Sequence, residues 1–319
     1  MKFLIKKIYI ILFFFTILLI GPQVFSKDSK IQYKRENISN YFSGIISASK
    51  NYDDEAFQYL NKVKSLKNRH SEFNVKYTRS LIMLEKFQEA FSFSKSVWTE
   101  DELFFETDLL LGLDYFIKKD YLNAEKYFKR LNEISRYNLF FDDFFGNILI
   151  AWVKASQGKK DESFEFLEKI PIQYQNLKKT QNVFLQCYFD SYATHKSFQE
   201  LINDKEYNFA RYNFFLINHL LLKNKTLEAK NILKDSAEKY SSNLLIKQTE
   251  NFFPNDKEKI KKIFNCRNPK DSIAEFFYLI ANLFSSEQDY QLSNFYLQIS
   301  LFLNNNFLSN KALLAENFY

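Results

Sequence analysis

The stretch "DLLLGLDYFIKKDYLNAEKYF", Asp108 to Phe128, sets apolar residues at helical spacing on either side of a short polar break. It predicts two helices joined by a turn at Lys118-Lys119-Asp120-Tyr121, with Asp120 capping the second helix. Gly112 lies inside the first apolar run. A helix-interior glycine costs roughly 1 kcal/mol relative to alanine, so it implies a close packing contact. Ala124 follows twelve residues later, and the same interval separates Gly44 from Ala56, Thr78 from Ala90, Ala151 from Ser163, Ile217 from Ala229 and Ala281 from Ser293. Residues 44, 78 and 112 recur at a period of 34, as do Ala281 and Ala315. A period of this length marks a repeated supersecondary unit. The unit predicted is a helix hairpin in which small residues let two antiparallel backbones approach, with Gly112 facing Ala124. Asp289-Tyr290 forms the equivalent turn before Ser293, and Gly158 lies in the turn before Ser163.

These residues resemble tetratricopeptide repeats. Unit 105–138 carries Leu111, Gly112, Tyr115, Ala124 and Phe128, and unit 274–307 carries Ile280, Ala281, Phe284, Ser293, Leu297 and Ser300, at that family's signature positions. Units begin near residues 37, 71, 105, 144, 210 and 274, with an incomplete one from 308. Intervals 178–209 and 244–273 read as degenerate helix pairs. The family's tryptophan and closing proline are missing from most units. The stretches "ILIAWVKASQGKKDESFEFLEKI" and "AEFFYLIANLFSSEQDYQLSNFYLQISLFLNNNFLSNKALLAENFY" are further similar to exported tetratricopeptide proteins of alphaproteobacteria. The resemblance implies an all-α, right-handed superhelical solenoid whose first helices line a concave groove that binds a protein or an extended peptide segment. It places Tyr41, Lys76, Arg79, Phe116, Trp152, Arg211, Phe214, Asn218, Tyr278 and Asn282 in that groove. Aromatics and arginine are enriched at binding hot spots. The competing expectation is that these side chains pack against neighbouring helices in a tight superhelix. Only the second unit offers a basic pair, Lys76 and Arg79, so a full clamp for a C-terminal carboxylate is not visible. Gly44, Ala56, Ala90, Gly112, Ala124, Ala151, Ser163, Ala229, Ala281 and Ser293 are the expected repeat-packing positions.

Composition agrees with a helical chain. Its 319 residues include 5 glycines and 4 prolines but 37 phenylalanines and 20 tyrosines, too few turn residues for a sheet or loop-rich fold. Pro171, Pro254 and Pro269 fall between the motif-bearing helices. At the N-terminus, Lys2, Lys6 and Lys7 precede a short apolar run, Ile8 to Ile20, and Gly21-Pro22 and Val24-Phe25-Ser26 follow it. This is the pattern of a secretory signal, and the run is short for a membrane span of about 20 residues. The expected organisation is a signal peptide over 1–26, a linker over 27–36 and a solenoid over 37–319. The protein is expected to be exported to the periplasm of a Gram-negative bacterium, with membrane contact only if residues 1–26 are retained. Removing three lysines lowers the net charge from +6 to about +3, which is no footprint for nucleic acid.

No reaction is legible. The histidines are His70, His195 and His219, and no two have metal-ligand spacing. There is no zinc-protease, nucleophile-elbow or phosphate-loop motif, so no catalytic residue, metal or cofactor is expected. Asp53-Asp54 and Asp142-Asp143 suit helix starts. Lys257, Lys259, Lys261 and Lys262 read as a solvated face, with Ile260 and Phe264 turned to the core. Cys187 and Cys266 are 79 residues apart, more than two repeats, and stacking at about 10 Å per helix layer leads to an expectation of two free thiols. Leu308 to Tyr319 reads as the first helix of a further repeat, apolar round much of its circumference, so the chain is expected to self-associate through an uncovered end. The function expected is an interaction scaffold of the bacterial envelope. The alternatives are an enzyme or enzyme subunit, with an unrecognised site or a C-terminal domain beyond this chain, and a membrane-anchored assembly factor.

Overall fold

The computed structural model describes residues 34–68, 70–135 and 144–318. The chain divides after Ile38, and Ser39–Tyr319 is the unit described below. The signal segment, most of the linker and Asp142-Asp143 lie outside the described residues.

Among the described residues there are seventeen α-helices and no strand, forming an all-α solenoid of antiparallel hairpins. In chain order the pairs are α1 (Arg35–Ser49) with α2 (Asp53–Asn61), α3 (Ser71–Met83) with α4 (Phe87–Val97), α5 (Phe105–Ile117) with α6 (Tyr121–Ser135), and α7 (Phe144–Ser156) with α8 (Lys160–Glu168). They continue with α9 (Gln175–Tyr188) and α10 (Thr194–Ile202), α11 (Tyr212–Leu222) and α12 (Thr226–Lys239), and α13 (Leu244–Phe252) and α14 (Lys257–Ile263). The series ends with α15 (Pro269–Ser286), α16 (Tyr290–Leu303) and the unpaired α17 (Leu308–Glu316). None of these helices is long and apolar enough to cross a membrane.

Seven hairpins close in one way. Asn51, Glu85, Lys119, Gly158, Asp190, Asn224 and Gln288 take a positive φ. The N–H of the next residue then returns to a carbonyl five positions back, as in Asp120 to Tyr115 at 2.9 Å and Asp289 to Phe284 at 2.9 Å. This satisfies carbonyls that the helix end leaves open. Asp120 and Asp289 then cap the following helices, accepting from the N–H groups of Asn123 at 3.2 Å and Leu292 at 3.1 Å. The α13–α14 connection lacks this closure and is the irregular member of the series.

Gly112 does sit at a close helix contact, and the atoms nearest to it belong to Phe128. A Cβ on Gly112 would lie 2.3 Å from Cε1 of Phe128, and one on Gly44 would lie 2.6 Å from the side chain of Leu60. Helix side chains lean toward the N-terminus, so Phe128 reaches back over the level of Ala124 and covers the glycine. The small residues Ala56, Ala90, Ala124, Ala151, Ser163, Ala229, Ala281 and Ser293 are fully buried.

Two of the first helices are enclosed by the protein's own residues. Every residue of α7 from Phe144 to Ala155 is buried, and so is every residue of α11 from Tyr212 to Leu221. A helix apolar on all sides needs cover on all sides; α15 contributes it over α7, and α13 and α14 contribute it over α11. α15 packs on α7 and α9, and α16 packs on α3. Phe145 meets Phe276 with ring centroids 5.1 Å apart, Phe302 stacks on Phe87 at 4.0 Å, and Gln291 donates to the carbonyl of Ala48 at 2.9 Å. Arginine–carboxylate pairs act both between and within units: Arg79 of α3 pairs with Glu106 of α5, and Arg130 of α6 pairs with Asp108 of α5 inside one hairpin.

The same curling overturns the expectation of two free thiols. Cys187, at the end of α9, and Cys266, after α14, form a disulfide with their Cα atoms 5.8 Å apart. The expectation assumed that units advance in sequence order along one axis. Instead the short α14 folds back against α11 and carries Cys266 to the end of α9.

α17 also differs from its apolar reading. Leu313 and Leu314 pack on the core, but its fully buried contacts are polar: Asn310 donates to Ser300 Oγ at 2.7 Å, and the C-cap Asn317 donates to Ser293 Oγ at 2.8 Å and Asn294 Oδ1 at 2.7 Å. Leu308 remains exposed.

Candidate functional site

The residues expected in the groove are not gathered in one place. Phe116, Trp152, Phe214 and Asn218 are buried against the protein's own helices. Trp152 donates Nε1–H to Gln181 Oε1 at 2.8 Å, and Asn218 donates to the carbonyl of Ile260 at 2.9 Å. Tyr41 sits beside His70, its hydroxyl 3.4 Å from Nδ1. Arg79 donates Nε–H to Glu106 Oε1 at 2.8 Å and lies over the ring of Phe295. The space around Lys76 and Arg79 is about 30 Å³, too small for a peptide. These side chains are taken up by neighbouring segments: Trp152 by α9, Asn218 by α14, Tyr41 by His70, and Arg79 by α5 and α16.

Arg211, Tyr278 and Asn282 do come together, in an open cleft of about 430 Å³ walled by α9, α11, α15 and α17 and by the start of α13. Arg211 stands at the N-terminus of α11. It makes a two-pronged pair with Glu275, Nε to Oε1 and Nη2 to Oε2, both at 2.7 Å, and donates Nη1–H to Ser309 Oγ at 2.9 Å. Its guanidinium lies 4.0 Å from the ring centroid of Tyr278. Glu275 is fully buried on α15. Burial alone would lower the pKa of Arg211, but the Glu275 carboxylate more than offsets this and holds the guanidinium charged. The phenol of Tyr212 is pushed well above its ordinary value by burial, reinforced by Glu275, and stays protonated. The cleft therefore has a rigid floor that joins three elements distant in sequence.

Asparagines line this cleft. Asn176, Asn208, Asn243 and Asn282 come from α9, the α10–α11 connection, the N-cap of α13 and α15. Asn243 Oδ1 caps α13 and Asn208 Oδ1 accepts from Ala210 N–H, which leaves both NH₂ groups without a protein acceptor. Asn176 Oδ1 is buried and accepts nothing from the protein. The cleft thus carries donors and acceptors of the amide type with capacity to spare. Sequence reasoning missed Asn176, Asn208, Asn243, Glu275 and Ser309. The one available signal was Glu275, an acid inside the apolar run "SIAEFFYLIA".

The remaining chemistry candidates have structural explanations. Asp53 lies in the first turn of α2, and burial, with Asp54 beside it, pushes its carboxyl up to about 6. Around α14, Ile260 and Phe264 are buried, while Lys261 pairs with Glu258 at 2.8 Å. Cys187, His219 and Cys266 also converge, their ligand atoms all within 4.8 Å of one another.

No protein-family model matches this chain, and no curated protein matches it in sequence.

Proposed function

We propose that the chain is an exported, tetratricopeptide-like scaffold of the Gram-negative envelope that holds an extended polypeptide segment in the Arg211 cleft. The observation that carries this reading is the set of asparagine amides with unspent hydrogen-bonding capacity around a pre-ordered Arg211–Glu275 floor. Each peptide unit of an extended segment offers one donor and one acceptor, which is the pairing that asparagine side chains return. Tyr278 adds an aromatic surface of the kind enriched at hot spots. Repeated hairpins suit this task because stacked units present ligand contacts from several elements at once. The apolar run at Ile8–Ile20 supports export, and whether residues 1–26 are retained decides between a periplasmic and a membrane-anchored form.

The reading is tested by placing a photoreactive residue at position 282 in cells, with position 227 on the exposed face of α12 as the control. The expected result is a discrete cross-linked product from 282 alone. The captured segment, made as a synthetic peptide, should bind at 1:1 and weaken at least tenfold with Asn282→Ala or Tyr278→Ala. Equal labelling at both positions, or peptide binding indifferent to both variants, refutes it.

A further inference from the structure

Cys187, Cys266 and His219 come from three different segments: the end of α9, the loop between α14 and α15, and the middle of α11. All three are buried. Cys187 Sγ lies 3.4 Å from His219 Nδ1, and the ligand atoms of all three fall within 4.8 Å of one another. Around a tetrahedral zinc-type ion, bond lengths of about 2.3 Å to sulfur and about 2.0 Å to nitrogen give a sulfur–nitrogen edge of about 3.5 Å and a sulfur–sulfur edge of about 3.8 Å. The Cys187–His219 edge already has that length. Only the sulfur–sulfur edge is shorter, because the two atoms are bonded to each other.

We propose that cleaving the Cys187–Cys266 disulfide turns this position into a three-ligand site for a thiophilic, zinc-type cation, held by both cysteine sulfurs and His219. The chemistry balances. A dithiol reductant supplies two electrons and two protons, becomes a disulfide itself, and leaves two thiols. Metal binding then releases those two protons as the thiolates form. The two thiolate charges match the charge of a divalent ion, so the buried site ends near neutrality, which is the condition for keeping ions out of water. Asp190, Lys223 and Arg267 lie at the edge of the cluster. Arg267 Nη2 donates to Asp190 at 2.7 Å and Lys223 also pairs with Asp190, so these exposed charges are matched by one another. Disulfide and metal are mutually exclusive occupants. The disulfide ties α9 to the segment that carries the chain into α15, and the metal would tie α11 to both as well, so the fold is cross-linked in both redox states.

The test uses the full chain, oxidised or treated with a dithiol and desalted without air, and titrated with Co²⁺ as the probe. The reduced protein should take up one equivalent with thiolate-to-cobalt charge-transfer absorption, and Zn²⁺ should displace it; the oxidised protein should show none. Cys187→Ser and Cys266→Ser should each abolish the band, and His219→Ala should weaken binding at least tenfold and shift the visible bands. Far-UV circular dichroism is followed in parallel. If reduction unfolds the chain, one equivalent of Zn²⁺ should restore the helical signal, since binding is then coupled to folding. The inference is overturned if the reduced chain gives neither the band nor metal-driven refolding, or if His219→Ala titrates like the parent protein.

Discussion

Gly112→Ala separates two effects of opposite sign. Helix propensity favours alanine over glycine by about 1 kcal/mol in a helix interior. The new Cβ, however, would lie 2.3 to 2.5 Å from two carbons of the Phe128 ring, whereas carbon atoms make good contact at about 3.5–4.0 Å. Phe128 is fully buried, so its ring cannot swing into solvent. Relieving the overlap means moving α5 and α6 apart by about 1 Å, and overpacking of this kind costs about 1–3 kcal/mol. The overlap at 2.3 Å puts the clash at the upper part of that range, so it wins, with a net loss of up to about 2 kcal/mol. Urea unfolding followed by circular dichroism reads this as a lower midpoint at unchanged slope. The decisive measurement is the double variant. In a Phe128→Leu background the obstruction shrinks, and Gly112→Ala should become neutral or stabilising, a coupling of about 2 kcal/mol. If Gly112→Ala stabilises the parent protein, or costs the same in both backgrounds, Phe128 is not what the glycine makes room for.

Three further outcomes are expected. Arg211→Met alone should cost about 3–5 kcal/mol because it strands the buried Glu275 carboxylate, and Arg211→Met with Glu275→Leu should recover most of it in the same unfolding assay; equal losses would show that the pair is not coupled. Lys119→Gly should stabilise by about 0.5–1 kcal/mol, since Lys119 is exposed at φ 63° and the left-handed penalty of about 1–2 kcal/mol exceeds the extra entropy cost of glycine; an unchanged or lower midpoint would contradict this. His219 is held down to about 4 by burial, with Lys223 adding to the effect. The unfolded chain, with His219 near 6.5, therefore takes up the proton first as pH falls. The contribution is fully present above about 6.5 and lost between there and 4, amounting to roughly 2–3 kcal/mol. His219→Gln should flatten the stability profile by that amount over this window, and parallel profiles for the two proteins would refute the assignment.

The hairpins were legible because their causes are local. The turn at Lys118 to Tyr121, the caps at Asp120 and Asp289 and the small residues along the chain all act within a few helical turns of their own position. The 34-residue spacing of 44, 78 and 112 reappears in the left-handed turn residues Asn51, Glu85 and Lys119. What the sequence could not reveal is how successive hairpins are rotated against one another. Each rotation depends on side-chain packing over a whole interface, and small angles accumulate over eight hairpins. That sum brings α15 onto α7 and α16 onto α3. It also gathers Arg211 with Glu275 and Ser309 from far along the chain, and sets Cys266 against Cys187. The repeat unit was a property of the sequence, and the cleft and the disulfide are properties of the closure, because interactions between residues 64 to 98 positions apart have no local pattern to announce them.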